Sequence, residues 1–394
     1  MKKIVIPSVL CAVILIAVLS SVLGGGNKVS LSVEQGDLTY PFAVPDTIEL
    51  NVYVENSGSM DGYMCAGSEL KDAVFDYVSE AKKTAATCRL NYINSQVVAY
   101  NGTLDAYIKD LNPSSFAQAG GSRANTDLRQ ILSTILSAQK KNTISIFVSD
   151  CILDIPQNAL DFFGNCQVSV KNTFNDALTR IPTLGVQIAQ MESKFDGTWF
   201  CGPNSERLSG VKRPYYIWVI GDVRLLARLN REAPLQNVIH GMKNYCAYAP
   251  VRNLPCDVEQ KSYVANRTIS VELLADISTT LQNSDVACNT AQFSVKHPEQ
   301  VQVTSVVPVT AKDSHYSHVV TLEIANPQTL KEETVTFNFP YLASWVEQSN
   351  DDTGKDARKH LGQTTGIKYL ITGVAEAYKD FTSCGNFTLN LKNR

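Results

Sequence analysis

Val54-Glu55-Asn56-Ser57-Gly58-Ser59-Met60 is the stretch on which the reading of this chain turns. Before it, Ile48-Glu49-Leu50-Asn51-Val52-Tyr53-Val54 alternates large apolar side chains with polar or aromatic ones. That is the period of a strand buried at the centre of a sheet. The strand then meets Ser57, Gly58 and Ser59, which make a tight turn and gather hydroxyls and backbone groups at its carboxyl end. In open α/β sheets ligands bind in the crevice at that end. Beyond the turn, Ser68 to Lys83 carries Leu70, Val74, Tyr77 and Val78 at spacings of three and four, which predicts an amphipathic helix. The unit is strand, polar turn, helix.

Two later stretches extend it. Gly120-Gly121-Ser122-Arg123-Ala124-Asn125-Thr126-Asp127-Leu128 is a glycine-rich loop, and Leu128, Ile131, Leu132, Ile135 and Leu136 then repeat the helical spacing. Ile144-Ser145-Ile146-Phe147-Val148 is a second apolar strand, followed by Ser149-Asp150. Together these three pieces resemble the von Willebrand factor A family, whose metal-ion-dependent adhesion site opens with D-x-S-x-S after the first strand. Family members add a Thr from a second loop and an Asp from a third, at the same end of the sheet. The resemblance implies an open sheet flanked by helices over residues 47–240. It also implies Mg²⁺ or Mn²⁺ held by Glu55, Ser57, Ser59, Thr126 and Asp150, and a protein partner whose own carboxylate completes the shell. Such hard cations take about six oxygen ligands near 2.1 Å, and two carboxylates with three hydroxyls leave room for one more. Asp127, at the helix start, suits the helix dipole rather than a ligand role.

The chain departs from the family at Glu55, where the pattern has Asp. One methylene lengthens the side chain by about 1.5 Å. Either Glu55 displaces a bridging water and binds the metal directly, or the site has lost its metal and kept the fold.

Outward from this core, the 394 residues suffice for two domains. The formal charge of −3, from 35 basic and 38 acidic residues, gives a nucleic-acid backbone no electrostatic hold. Met1-Lys2-Lys3 and the apolar run Ile4 to Leu23 form an export signal long enough to cross a bilayer. Residues 1–24 are read as an uncleaved anchor with the rest of the chain outside the cytoplasm, in a bacterial membrane. The alternative is a cleaved signal peptide and a periplasmic or secreted product. Residues 25–46 read as a linker.

Nine of the ten cysteines lie beyond that segment, a usage that suits an oxidising compartment. Cys246 with Cys256, Cys151 with Cys166, and Cys65 with Cys88 are near enough in sequence to pair. No C-x-x-C motif occurs, and His315 and His318 have no matching ligand cluster, which argues against zinc. Three N-x-[ST] tripeptides, at Asn101, Asn266 and Asn386, matter only in a eukaryotic secretory pathway.

Leu90 to Tyr100 predicts a hairpin or strands, Leu184 to Met191 and Tyr215 to Ile220 two buried strands, and Phe195 to Arg213 between them a surface loop or hairpin. From residue 241 the helical period disappears. Short alternating runs at Thr268–Leu274, Gln292–Val295, Val301–Val309, His318–Ile324 and Thr334–Phe339 predict a β-sandwich-like domain, followed by a carboxyl-terminal helix (Ile367–Tyr378) and strand (Phe387–Leu391).

The functional expectation is a membrane-tethered, extracytoplasmic protein-binding module for adhesion or assembly. A metal-free scaffold is one competitor, with Ser57 and Ser59 capping the helix. A hydrolase acting through Glu55 or Asp150 is the other. No histidine of His240, His297, His315, His318 and His360 sits in a triad motif, and no glycine-rich nucleotide loop occurs. Tyr215, Tyr216 and Trp218 read as core rather than as a carbohydrate platform, and Trp345 as a packing anchor.

Overall fold

The computed structural model describes residues 29–34, 47–123, 126–156, 161–250, 253–264, 267–310, 314–381 and 385–393. The anchor and most of the linker read from the sequence lie outside these. Among the described residues, no helix is long and apolar enough to cross a membrane.

The fold is mixed α/β. β2 (Glu49–Glu55) and helix α1 (Glu69–Lys83) come first, then β3 (Thr87–Ile93) and β4 (Val97–Tyr100). Helices α2 (Leu104–Asp110), α3 (Pro113–Ala117) and α4 (Leu128–Ala138) lead to β5 (Thr143–Ser149). Helix α5 (Phe162–Arg180) precedes a long pair of strands, β6 (Leu184–Cys201) and β7 (Asn204–Asp222). Helix α6 (Val223–Glu232) and β8 (Met242–Tyr248) finish the unit. The seven strands lie in the order β4-β3-β2-β5-β7-β6-β8. β2 is parallel to both neighbours, β3 and β5. The chain leaves β2 towards β3 and β4 on one side and returns to β5 on the other. The carboxyl ends of β2 and β5 therefore flank the point where the strand order reverses, the place where such sheets form a crevice.

Alternation along the central strands fills both faces. Leu50, Val52 and Val54 of β2 share one buried cluster with Leu70, Val74, Tyr77 and Val78 of α1. Tyr53 points the other way, into a cluster with Leu128, Ile131, Leu132 and Ile135 of α4. Glu55 keeps the parity of Tyr53 but stands at the strand end. Tyr215, Tyr216 and Trp218 are fully buried in β7, as core residues.

The segment expected to be a surface loop or hairpin is the distal half of one continuous hairpin. β5 ends at Ser149, opposite Tyr216 of β7, while the β6–β7 pairing continues out to Cys201 and Asn204. Ser193, Phe195, Trp199 and Cys201 are buried along one side of β6, and charged Lys194 and Asp196 alternate with them. That period of two extends the strand. The hairpin does not cover the sheet's edge. It rises past the carboxyl end of β5, between β5 and β8.

The rest of the chain builds two four-stranded antiparallel sheets. One has the order β12-β13-β10-β9 and the other β1-β17-β14-β11. Their strands are β9 (Cys256–Val264), β10 (Thr268–Ala275), β11 (Phe293–Val295), β12 (Val301–Pro308), β13 (His318–Ala325), β14 (Glu332–Phe337) and β17 (Gly385–Asn393), with β1 (Val29–Glu34) from the amino-terminal side. Between β14 and β17, β15 (Asn350–Asp351) and β16 (Thr364–Thr365) form a separate parallel pair. Val271, Leu273, Leu322, Val335, Phe337, Leu389 and Leu31 come from both sheets and share one buried cluster.

Three boundaries differ from the sequence reading. Part of the linker is strand β1, because Val29 and Leu31 are buried when β1 pairs with β17. β8, placed after the boundary at 240, pairs with β6 in the large sheet. Helix α7 (Ile367–Ala377) packs on α5 of the α/β unit: the Phe163 and Tyr369 rings stack with centroids 4.5 Å apart, and the Tyr378 hydroxyl donates to Leu184 O at 2.9 Å. Trp345 donates Nε1 to Tyr245 O at 3.1 Å, an anchor between tail and sheet.

The eight described cysteines are unpaired. Cys65 and Cys88 stand at opposite ends of α1, which its 15 residues make about 22 Å long at 1.5 Å per residue. Cys246 and Cys256 belong to different buried clusters. Cys151 and Cys166 share a cluster without bonding.

Packing at two glycines separates opposite effects of one substitution. A Cβ at Gly62 lands 2.3 Å from the Phe195 ring, whereas one at Gly164, inside α5, meets nothing within 4 Å. Gly62→Ala is expected to destabilise by about 1–3 kcal/mol through overpacking. Gly164→Ala is expected to stabilise by about 0.5–1 kcal/mol through helix propensity. Urea midpoints of the two variants against wild type measure both, and equal shifts refute the packing assigned to Gly62.

Candidate functional site

The site begins with two strand ends held side by side. Val54 of β2 pairs with Val148 of β5, so Glu55 and Ser149 are the next residues out, and the Ser149 hydroxyl donates to Glu55 Oε2. The same hydroxyl accepts the Cys151 N–H at 2.8 Å. Cys151 has φ 54°, a left-handed turn that ends the strand. Asp150 lies between them, with Oδ1 accepting the Ile152 N–H at 3.3 Å. Glu55 and Asp150 are 3 % and 2 % exposed, two carboxyls at one buried strand end.

Electrostatics follow from that placement. Burial raises the Glu55 carboxyl well above its ordinary value, the Asp150 charge adds to the rise, and the Ser149 and Ser57 hydroxyls oppose it. Burial also raises Asp150, against the Ser59 hydroxyl, the Ile152 N–H and the Arg213 charge. The pair holds a proton that exposed carboxylates would have lost. Asp154, raised by burial and accepting the Gly202 N–H at 3.0 Å, adds a third carboxyl nearby.

Above lies a cleft of about 680 Å³. Glu55, Ser57, Ser59 and Thr126 line it, so four of the five residues singled out in the sequence meet on one surface. Asp150, the fifth, sits beneath. Ser57 and Ser59 hydroxyls are 3.1 Å apart. The walls are mixed: apolar Ile152, Leu153, Ile155, Phe162 and Phe200, the last from the tip of the β6–β7 hairpin, stand among charged Arg123, Asp127, Arg129 and Asp154. Phe200 lies 3.5 Å from where a Cβ on Gly58 would stand.

Three participants carried no signal strong enough to single them out. Arg123 sits in the glycine-rich loop. Its Nε donates to Asn56 Oδ1 at 2.6 Å and its Nη2 to Ser57 O at 3.1 Å and to the Asp61 carboxylate. It therefore ties the turn after β2 to the loop that carries Thr126. Arg129 forms a two-point pair with Asp127, at 2.9 and 2.7 Å, while Asp127 caps α4 by accepting the Arg129 N–H at 2.9 Å. This agrees with the helix-start role read for Asp127. Arg213, 2 % exposed on β7, donates to His360 O and Gln363 O at 3.3 Å each. The register carries it three positions past Tyr216, beyond the end of β5, where its charge acts on Asp150, a placement that no local pattern reveals.

Two oxygens decide what this arrangement can hold. Asp150 Oδ2 and Thr126 Oγ1 are buried with no hydrogen-bond partner. Orphaned buried oxygens are costly, and together with Glu55 and two serine hydroxyls they make an all-oxygen set suited to a hard divalent cation. Among the described residues, no group of three or more His, Cys, Asp and Glu side chains is placed to hold a metal ion, so any such set here draws on hydroxyl oxygens. No histidine lines the cleft. His297 bonds Glu333 at 2.9 Å, His318 bonds Ser317 at 2.8 Å and His360 bonds Gln363 at 2.6 Å, all outside it. No family model matches the chain, and comparison with curated proteins gives no match.

The raised carboxyls make a pH prediction with a definite sign. Folded, metal-free protein binds more protons than the unfolded chain above the ordinary carboxylate value of about 4. Glu55 therefore subtracts stability increasingly as pH rises from there through neutrality. The stability of Glu55→Gln relative to wild type, from urea midpoints in EDTA, should climb with pH over that window. A flat or falling difference refutes the buried-pair electrostatics.

Proposed function

We propose that this chain is a von Willebrand factor A-like module, tethered to a membrane outside the cytoplasm, that binds another protein through a divalent cation. The observation that carries the reading is two orphaned buried oxygens: Thr126 Oγ1, whose residue lines the cleft with Glu55, and Asp150 Oδ2, whose carboxyl acts electrostatically on Glu55. Glu55, Ser57, Ser59, Thr126 and Asp150 would hold Mg²⁺ or Mn²⁺, which would supply a strong electrophilic contact for a partner's carboxylate. The chain's own residues do the remainder. Arg123 fixes the two loops that bear the hydroxyls, and the burial of Glu55 and Asp150 limits screening of the contact by bulk water. Metal binding must drive off the proton that Glu55 and Asp150 share, so affinity rises with pH.

A second reading is favoured by the Ser149 bond to Glu55 and the Arg123 contacts, which pin the turn without any metal. On that reading the domain is a scaffold whose partner binds independently of cations. The hydrolase alternative, through Glu55 or Asp150, would draw on the same proton-holding carboxyl pair, and it predicts turnover that Glu55→Gln abolishes.

Calorimetric titration of Mg²⁺ and Mn²⁺ separates the two. The metal reading expects saturable binding that releases protons in buffers of different ionisation enthalpy. Asp150→Ala should weaken it at least about tenfold, as expected for loss of a charged ligand, and Thr126→Ala should weaken it less. Wild-type protein that binds neither ion at millimolar concentration overturns the metal reading. Partner capture insensitive to EDTA then supports the scaffold.

A further inference from the structure

A second cavity, unrelated to the carboxyl cleft, lies where the α/β unit meets the antiparallel sheets. It measures about 160 Å³. Its lining includes six carboxamides, Gln187, Asn230, Gln236, Asn237, Gln282 and Asn283, and no charged side chain. They come from β6, α6, the turn after α6 and the loop after β10, so the site is assembled by tertiary structure.

At its base a hydrogen-bond network is left incomplete. Asn230 Nδ2 lies 2.9 Å from Gln187 Oε1, and the Tyr245 hydroxyl lies 2.8 Å from that same oxygen and 2.5 Å from Leu281 O. Gln187 is 1 % exposed, yet its Nε2 has no partner, and neither does Asn230 Oδ1. One hydroxyl proton cannot serve both of Tyr245's acceptors. Donation to Leu281 O requires both amides to be turned over. Gln187 then donates to Tyr245 and Asn230, leaving its own oxygen and the Asn230 nitrogen unpaired. Donation to Gln187 Oε1 leaves Leu281 O without that proton as well, so either assignment ends with at least one unpaired donor and one unpaired acceptor. Leu281 itself has φ 61°, an unfavourable conformation for a branched residue. Gly185 leaves space for its side chain: a Cβ there would stand 2.8 Å from Leu281 Cδ1.

We propose that this cavity binds a small neutral polyhydroxyl compound, of the size of a glycerol or one sugar ring. A hydroxyl is donor and acceptor on one atom, so adjacent hydroxyls complete the Gln187–Asn230 pair in either amide orientation. The uncharged lining offers no counter-ion to an anion or a cation, which excludes charged ligands. Asn237 and Ser284, both exposed, mark the mouth through which the compound enters. The volume equals about five waters at roughly 30 Å³ each, and ordered water alone is the competing occupant.

Ligand-observed NMR and calorimetry on the full chain decide between them, with glycerol, glucose, galactose and N-acetylglucosamine as probes and acetate and guanidinium as charged controls. Saturable binding of at least one neutral probe and of neither control is expected. Gln187→Leu removes the buried amide, and Ser284→Tyr blocks the mouth without entering the core. Each should weaken binding at least about tenfold, while cation titration at the carboxyl cleft stays unchanged. No saturation by any neutral probe up to tens of millimolar overturns the proposal in favour of water, as does binding that survives Ser284→Tyr or is matched by the controls.

Discussion

Two carboxyl groups buried next to each other at the end of a parallel strand pair are the constraint around which this molecule is arranged. Burial disfavours ionised carboxylates and mutual repulsion disfavours them further, so each neighbouring element answers that cost. Ser149 donates to Glu55, the Ile152 amide donates to Asp150, and Arg213 brings a buried positive charge within range. Arg213 is in turn held by carbonyls of His360 and Gln363. The carboxyl-terminal segment is thus connected to the site through this guanidinium and through the Leu153 N–H, which donates to Thr365 O at 3.0 Å.

The same strand end governs the long hairpin. β6 and β7 need only reach Met191 and Tyr215 to complete the sheet beside β5, yet they continue to Cys201 and Asn204. The extension carries Phe195 against Gly62 and Phe200 over Gly58, packing the two turns that follow β2. Asp154 bonds the hairpin tip at Gly202. The resulting cleft has two buried carboxyls at its base and walls that mix apolar and charged side chains, and burial at the base strengthens polar contacts there by keeping the local dielectric low.

Much of this was legible in the sequence wherever period and register are local. The alternation of Leu50, Val52 and Val54, the helix spacing from Leu70 to Val78, and the turn Ser57-Gly58-Ser59 place Glu55 at the end of a central strand, and the Thr126 and Asp150 loops meet it there. What escaped depends on partners distant in sequence. Val29 to Glu34 looks like connector because its six residues become a strand only against β17, more than 350 positions away. Residues 195–213 read as a surface loop or hairpin rather than as continuations of two central strands because charged side chains alternate with the buried ones, and their mean polarity hides a period of two. Arg213 was invisible for the same reason, since a buried arginine has no local signature.

The glutamate at position 55 is matched to its surroundings. Neighbouring strands lie about 4.8 Å apart, and the Glu55 carboxyl crosses that gap to meet the hydroxyl of Ser149 on β5. An aspartate, shorter by about 1.5 Å, would leave the hydroxyl of Ser149 facing an empty position while it still accepts the Cys151 amide. The extra methylene therefore does more than lengthen the side chain: it joins the end of β2 to the end of β5 through a side chain as well as through the backbone. Because Ser149 also receives the Cys151 N–H, the link extends into the left-handed turn that sets the path of Ile152 to Pro156 along the cleft wall. Any change in the charge of Glu55 is thus felt first by the turn that holds Asp150, which couples the protonation of one carboxyl to the position of the other.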